Sequence, residues 1–132
     1  MTDPQLAAVY RKAANIIREN GHHQGAYLDG TLLLTRTRQT VPVDATGALS
    51  LVITGAPVPP ADLIDCPQLY QDAVAFLSRR IRSAIVDTDP EERIADWNDE
   101  PERTADEVIA ALESVARDID FMFSAPRLAV AA

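Results

Sequence analysis

Lysine is almost missing from this chain of 132 residues: Lys12 stands alone, and arginine supplies the remaining basic groups. Cysteine is as scarce. With Cys66 the only one, no intramolecular disulfide can form, and no Asn-x-Ser/Thr acceptor occurs, so a cytoplasmic protein is expected. Aromatic residues make up 5% of the chain, so aliphatic side chains and alanine must fill the core. No apolar run approaches the length of a membrane-spanning helix, and Met1-Thr2-Asp3-Pro4 lacks the basic and apolar regions of a signal peptide. A Gly-rich phosphate loop, a nucleophile elbow and a His-Glu-x-x-His pattern are all missing. Neither an enzyme nor a cofactor is therefore expected.

What the chain has is acid, unevenly placed. Residues 1–86 carry 8 basic and 7 acidic groups, whereas residues 87–123 carry 3 basic and 13 acidic. Phosphates would be repelled by the second half, which argues against direct nucleic-acid binding and for a basic protein partner. A homo-oligomer is left open.

The acidic half is organised around Trp97-Asn98-Asp99-Glu100-Pro101-Glu102-Arg103-Thr104, which holds the only tryptophan. Thr104 followed by Glu107 reads as a capping box: the hydroxyl accepts from the Glu107 amide and the carboxylate from the Thr104 amide. From there Val108, Leu112, Val115, Ile119 and Met122 recur at helical spacing, predicting a helix over 104–123. Asp89-Pro90-Glu91-Glu92 opens a short helix over 90–97, ended by Pro101. Upstream, Leu6, Val9, Tyr10, Ala13, Ile16 and Ile17 predict a helix over 4–20, with Asp3 as its cap and Gly21 as its stop. Asp65-Cys66-Pro67-Gln68 reads as another capping box, and Leu69, Tyr70, Ala73, Phe76, Leu77, Ile81 and Ile85 predict a helix over 66–85. Ala26–Leu28 and Thr31–Leu34 flank Asp29-Gly30 and read as a β-hairpin. Residues 48–54 are ambiguous: Val52, Ile53 and Thr54 favour a strand, while Asp44 and Gly55 bracket a short helix.

The expected fold is therefore mainly α: a small helical domain of three long helices and one short one, with a minor β-hairpin, and an α+β arrangement as the fallback. One globular domain is expected over residues 1–123, followed by a flexible tail over 124–132. That tail reads as an inert frayed end, although Leu128–Ala132 resembles C-termini recognised by ClpX-type unfoldases.

Each stretch with chemistry on it has a plainer structural reading. Trp97, Asn98, Asp99, Arg103 and Thr104 form a candidate binding surface, or else a structural latch in which Trp97 packs on the core and Arg103 pairs with Asp96 or Asp99. Adjacent His22 and His23 rarely face one metal together, and no further ligand has recognisable spacing, so no metal is expected. Asp87-x-Asp89-x-Glu91 begins like a calcium loop but has Glu92 where the turn needs glycine. Cys66 reads as a core residue. Arg79, Arg80 and Arg82 either grip an anion or answer the acidic half within the fold.

At Trp97-Asn98-Asp99, Pro101, Arg103-Thr104 and Glu107-Val108 the chain resembles a family of small uncharacterised proteins of actinobacteria and their phages, with a Trp-Asn-Asp-x-Pro-x-Arg-Thr signature before a C-terminal helix. Ala13-Ala14-Asn15-Ile16-Ile17, Gly21 and Gln24-Gly25-Ala26-Tyr27 resemble that family's N-terminal segment. The resemblance covers roughly residues 6–28 and 94–119. It implies a helical segment between the two, of which Gly47-Ala48-Leu49 is a remnant, and it implies no activity. The reading that results is a non-enzymatic interaction or regulatory protein presenting an acidic surface to a protein partner. The alternatives are a DNA-mimic inhibitor of a nucleic-acid-binding protein, and a small-ligand-binding protein or enzyme whose site carries no motif and draws on groups such as His22, His23 or Asp99.

Overall fold

A computed structural model describes residues 4–62, 65–81 and 89–131, the last seven by backbone alone. Five α-helices follow in order: α1 (Gln5–Asn20), α2 (Ala45–Thr54), α3 (Gln68–Ser78), α4 (Pro90–Asn98) and α5 (Ala105–Ala131). The mainly helical class is the one expected. Among the described residues no helix is long and apolar enough to cross a membrane.

Helix α1 is the axis. Its stripe of Leu6, Val9, Tyr10, Ala13, Ala14 and Ile17 is buried, facing α5 on one side and α2 on the other. Helix α5 answers with Val108, Leu112, Val115, Ala116 and Ile119, each of them buried. Tyr10 also donates its hydroxyl to the Ala73 carbonyl at 2.5 Å, tying α1 to α3. Gly21 ends α1 with φ 106°, a conformation that favours glycine, and returns its N–H to the Ile17 carbonyl. Pro4 occupies the position before α1 without a side-chain cap; Asp3, the expected cap, lies outside the described residues.

The expected hairpin is not formed. Asp29 instead caps a 3-10 turn over Gly30–Leu34, accepting from the Thr31 amide at 3.1 Å and from its hydroxyl at 2.5 Å. That local bonding draws the Asp-Gly pair into a helical turn, and Leu34 is left 94% exposed. The backbone partner of residues 22–28 is Val43, in single bridges to His22 and to Leu28. Val41 and Val43 are both fully buried, so the apolar pair that belongs inside lies beyond the turn, not within it.

The ambiguous middle is helical. Asp44 caps α2 through the Gly47 amide at 2.6 Å, and Gly55 closes it in the left-handed region at φ 84°. Every residue from Ala45 to Leu51 is buried, so no polar face marks the period. A Cβ at Gly47 would lie 2.3 Å from the Tyr27 carbonyl oxygen, so α2 presses against the 22–28 segment without room for a methyl group.

Helix α3 is shorter than expected. It starts at Gln68, with Pro67 before it and no side-chain cap, so the box expected from Asp65 is not made. Gln68 donates instead to Asp72, at 2.8 Å. It ends at Ser78, and Arg93 of α4 reaches across to the carbonyls of Ser78 at 2.8 Å and Ile81 at 3.1 Å. A cation bonded there suits the negative end of the helix. The rest of the expected helix, with Arg82 and Ile85, lies outside the described residues. At the other end of the chain α5 runs past 123, its backbone helical to Ala131.

Candidate functional site: an acidic cleft beside the Trp-Asn-Asp turn

The turn from α4 into α5 is built by its own residues. Thr104 and Glu107 form the reciprocal box, with amide-to-side-chain distances of 2.9 and 3.2 Å, and the Thr104 amide holds the Glu107 carboxyl below its usual range. Trp97 packs into the core, 6% exposed. The Arg103 guanidinium lies 4.4 Å from the indole centroid and donates from Nε to the Trp97 carbonyl at 3.0 Å. Arg103 pairs with Glu100 at 2.6 Å and with Glu107 at 3.6 Å, where the sequence suggested Asp96 or Asp99. Glu100 lies within the turn and Glu107 in the first turn of α5, on either side of Arg103.

Asn98 is fully buried and works as a hub. Its Nδ2 donates to the His23 carbonyl at 3.0 Å and to the Asp99 carboxylate at 2.9 Å. With Nδ2 so fixed, Oδ1 accepts from the Ala45 amide at 3.0 Å and from His22 Nε2 at 2.9 Å. Gln24 donates to the Asn98 and Glu100 carbonyls at 3.0 and 2.8 Å, and the Gly25 amide donates to Asp99 Oδ1 at 2.9 Å. The segment 22–25, the start of α2 and the end of α4 thus meet at one side chain. The two stretches that carry the family resemblance are bonded to each other.

This convergence leaves an acidic cleft. Asp44, Asp89, Glu91, Glu92 and Asp99 line a cavity of about 560 Å³ together with Tyr27 and Ala95. Asp44 is buried, and that burial pushes its carboxyl up to about 7 against the Gly47 amide and Thr46 hydroxyl that favour the charge; the nearby Asp99 carboxylate raises it further. Burial also raises Glu91, which accepts from the Tyr27 hydroxyl. Among the described residues lining this cavity there is no cation, and its five carboxylates make no ion pair.

A second cavity, of about 600 Å³, shares Tyr27, Asp89 and Glu91 with the first and runs on along α3. Both are of ligand-binding size. Tyr70 belongs to the inner wall of the second one, 2% exposed, and its hydroxyl has no hydrogen-bond partner among the described residues. Burial, followed by the charges of Asp44, Cys66 and Asp89, keeps that phenol protonated far above neutrality. A buried hydroxyl left unpaired costs about 1–3 kcal/mol.

The remaining candidates are engaged in the fold or lie outside the described residues. His22 is taken up by Asn98, and among the described residues no three His, Cys, Asp or Glu side chains gather as a metal set. Asp87 of the calcium-like run is outside the described residues, while Asp89 caps α4 through the amides of Glu91 and Glu92. Cys66 is half-buried and its thiol is pushed up by burial, which disfavours the reactive thiolate. Arg80 lies 4.6 Å from the Phe76 ring centroid and 3.7 Å from Asp118 of α5, the intramolecular answer to the acidic half. Tyr27, Asp44, Tyr70 and Glu91 had no signature of a site in the sequence. Asp44 was visible only as a helix-start residue, Glu91 as one and in the rejected calcium-like run, and Tyr27 within the expected hairpin and the resemblance.

Residues 1–118 match a family of unknown function, DUF6197, and the chain belongs to that family. No curated protein and no solved structure matches it.

Proposed function

We propose that this member of DUF6197 is a non-enzymatic interaction protein of an actinobacterium or its phage, whose acidic cleft receives a basic surface of a protein partner. The observation that carries this reading is the lining of the cleft: five carboxyl groups that make no ion pair among the described residues, whereas Glu100, Glu107, Glu113, Asp118 and Asp120 each have an arginine. Like charges held together in a concave wall focus a negative potential that a cationic partner relieves. The concave arrangement supports insertion of a basic group more than it supports imitation of a DNA backbone, which would need carboxylates in rows on an exposed face. On α5, Glu113, Asp118 and Asp120 are already occupied by Arg18, Arg80 and Arg11.

The test is capture of partners by the full chain at low and moderate salt, beside the variant Glu92→Lys. Glu92 is exposed and its carboxylate makes no hydrogen bond to another described residue, so its reversal leaves the cap and the Asn98 hub in place. A partner that binds the native chain, weakens with salt and loses roughly tenfold in affinity with the variant supports the reading. The same proteins held equally by both chains would overturn it.

A further inference from the structure

Helix α5 turns one face to the core and the opposite face to water, and Phe121 stands on the second. Val108, Leu112, Val115 and Ile119 are buried. At the α-helical rotation per residue, Ala110, Ser114, Arg117 and Phe121 lie on the far side, and all of them are exposed. Phe121 is 71% exposed, an aromatic ring that the packing of the chain does not use. Arg117, one turn before it, makes no ion pair or hydrogen bond among the described residues. The two acids at helical spacing from Arg117 are taken by α1: Glu113 by Arg18 at 3.1 Å, and Asp120 by Arg11. Arg18 reaches Oε2 of Glu113 alone, and Oε1 has no partner among the described residues.

This face complements itself in one arrangement. Two copies of α5 laid antiparallel, with a twofold axis between residues 115 and 116, bring position 121 of one copy level with 110 of the other. The same axis sets 117 level with 114. A large ring then meets Ala110, where only a methyl group stands, and Arg117 meets Ser114. Glu113 and Arg117 share one edge of the face, and the twofold axis brings like edges together, so Arg117 of each copy reaches Glu113 of the other. Asp118 lies on the opposite edge, away from that carboxylate. A parallel pairing would instead set Arg117 against Arg117 and leave both cations unanswered.

We infer that the outward face of α5 is a self-association surface, on which two copies of this chain pair antiparallel. Phe121 of each copy covers Ala110 of the other, and Arg117 of each bonds Glu113 of the other. No residue of this face lines the acidic cleft, so the inference is independent of the reading given to that cleft. One helix pair with a single aromatic ring per copy is small beside a standard interface, so a weak dimer is expected, half-formed on the order of 100 µM.

The test is sedimentation equilibrium of the full chain from about 10 µM to about 1 mM. It is repeated on Phe121→Ser, Arg117→Glu and Glu113→Arg, with melting temperatures measured beside it. The native mass is expected to rise from that of one chain toward that of two, and each variant to dimerise roughly tenfold more weakly or worse. An equimolar mixture of the Arg117→Glu and Glu113→Arg chains regains both cross-chain ion pairs and is expected to dimerise about as the native chain does. A mass that stays that of one chain throughout overturns the inference, as does native-like dimerisation by Phe121→Ser or Arg117→Glu. Loss in both charge variants with no recovery in the mixture overturns it too, because a parallel pairing or another face gives that result. Glu113→Arg sets an arginine beside Arg18, and if that variant melts early, Phe121→Ser and Arg117→Glu still decide the matter.

Discussion

Two acidic regions of this molecule meet opposite fates. On α5, Glu113, Asp118 and Asp120 face arginines of α1 and of the turn after α3: Arg18 lies 3.1 Å from Glu113, Arg80 lies 3.7 Å from Asp118, and Arg11 pairs with Asp120. In the cleft, Asp44, Asp89, Glu91 and Asp99 are held by amides and hydroxyls of the chain instead: Gly47 and Thr46 on Asp44, Glu91 and Glu92 amides on Asp89, Tyr27 on Glu91, Gly25 on Asp99. The α5 acids are half-exposed and matched by cations, so water and arginine share their charge. These four cleft acids accept hydrogen bonds yet have no arginine among the described residues. A formal charge of −8 therefore does not describe one acidic surface. Among the described residues three acids of α5 have an arginine, and the five that line the cleft have none.

The sharpest way to separate the two sides is pH. The carboxyl of Asp44 stands near 7 in the fold against 3.8 outside it, so the folded state holds a proton that the unfolded chain has lost. Its contribution is fully present below about pH 4 and disappears as pH rises through about 7, for a total of at most roughly 4 kcal/mol. Asp44→Asn, which keeps an oxygen for the cap, should flatten that loss of stability between pH 4 and 7. Chemical denaturation across that window checks it, and an unchanged slope would remove Asp44 from the account.

Breaking the hub comes next in size. Asn98→Ala strands the Ala45 amide, the His23 carbonyl and His22 in a buried place. A loss of about 3 kcal/mol is expected in urea unfolding, together with faster amide exchange at Gly25 and Ala45. The smallest effect belongs to the compensated side. Arg18→Ala should cost under about 1 kcal/mol, because an exposed pair in water contributes little. A larger loss there would mean that the α1–α5 pairs hold the helices together, and would erase the contrast drawn between the two sides.

The legible parts of the fold were those whose bonding is local. The box at Thr104 and Glu107, the cap of Asp89 and the stop at Gly21 each join residues a few positions apart, and each is present. The amphipathic stripes of α1 and α5 were equally plain, since one face of each meets water. The middle was ambiguous for a nameable reason, and the reading with Asp44 and Gly55 as brackets of a helix is the one the structure bears out. Helix α2 is buried over its first seven residues, so it shows no amphipathic period, and its β-branched end imitates a strand. The hairpin failed because Asp29 had a nearer partner in Thr31, while Val43 was the residue waiting to bridge.

Of the site, the sequence marked the turn but not the cleft. It placed Trp97, Asn98, Asp99, Arg103 and Thr104 as one stretch, binding surface or latch. The fold puts Trp97 and Asn98 inside and leaves Asp99 at the cleft. Tyr27, Asp44, Tyr70 and Glu91 come from four separate segments, and no spacing rule links them.

By itself the sequence determined where three of the helices start or stop and which faces of α1 and α5 are apolar, because capping and periodicity act over one or two turns. Tertiary structure alone decided which carboxylates receive an arginine and which are gathered without one. It also decided that a tyrosine hydroxyl on α3 would be buried with no partner among the described residues. Both are matters of which distant segments pack together, and the free energy of a charge or a hydroxyl depends on that neighbourhood rather than on its neighbours in the chain.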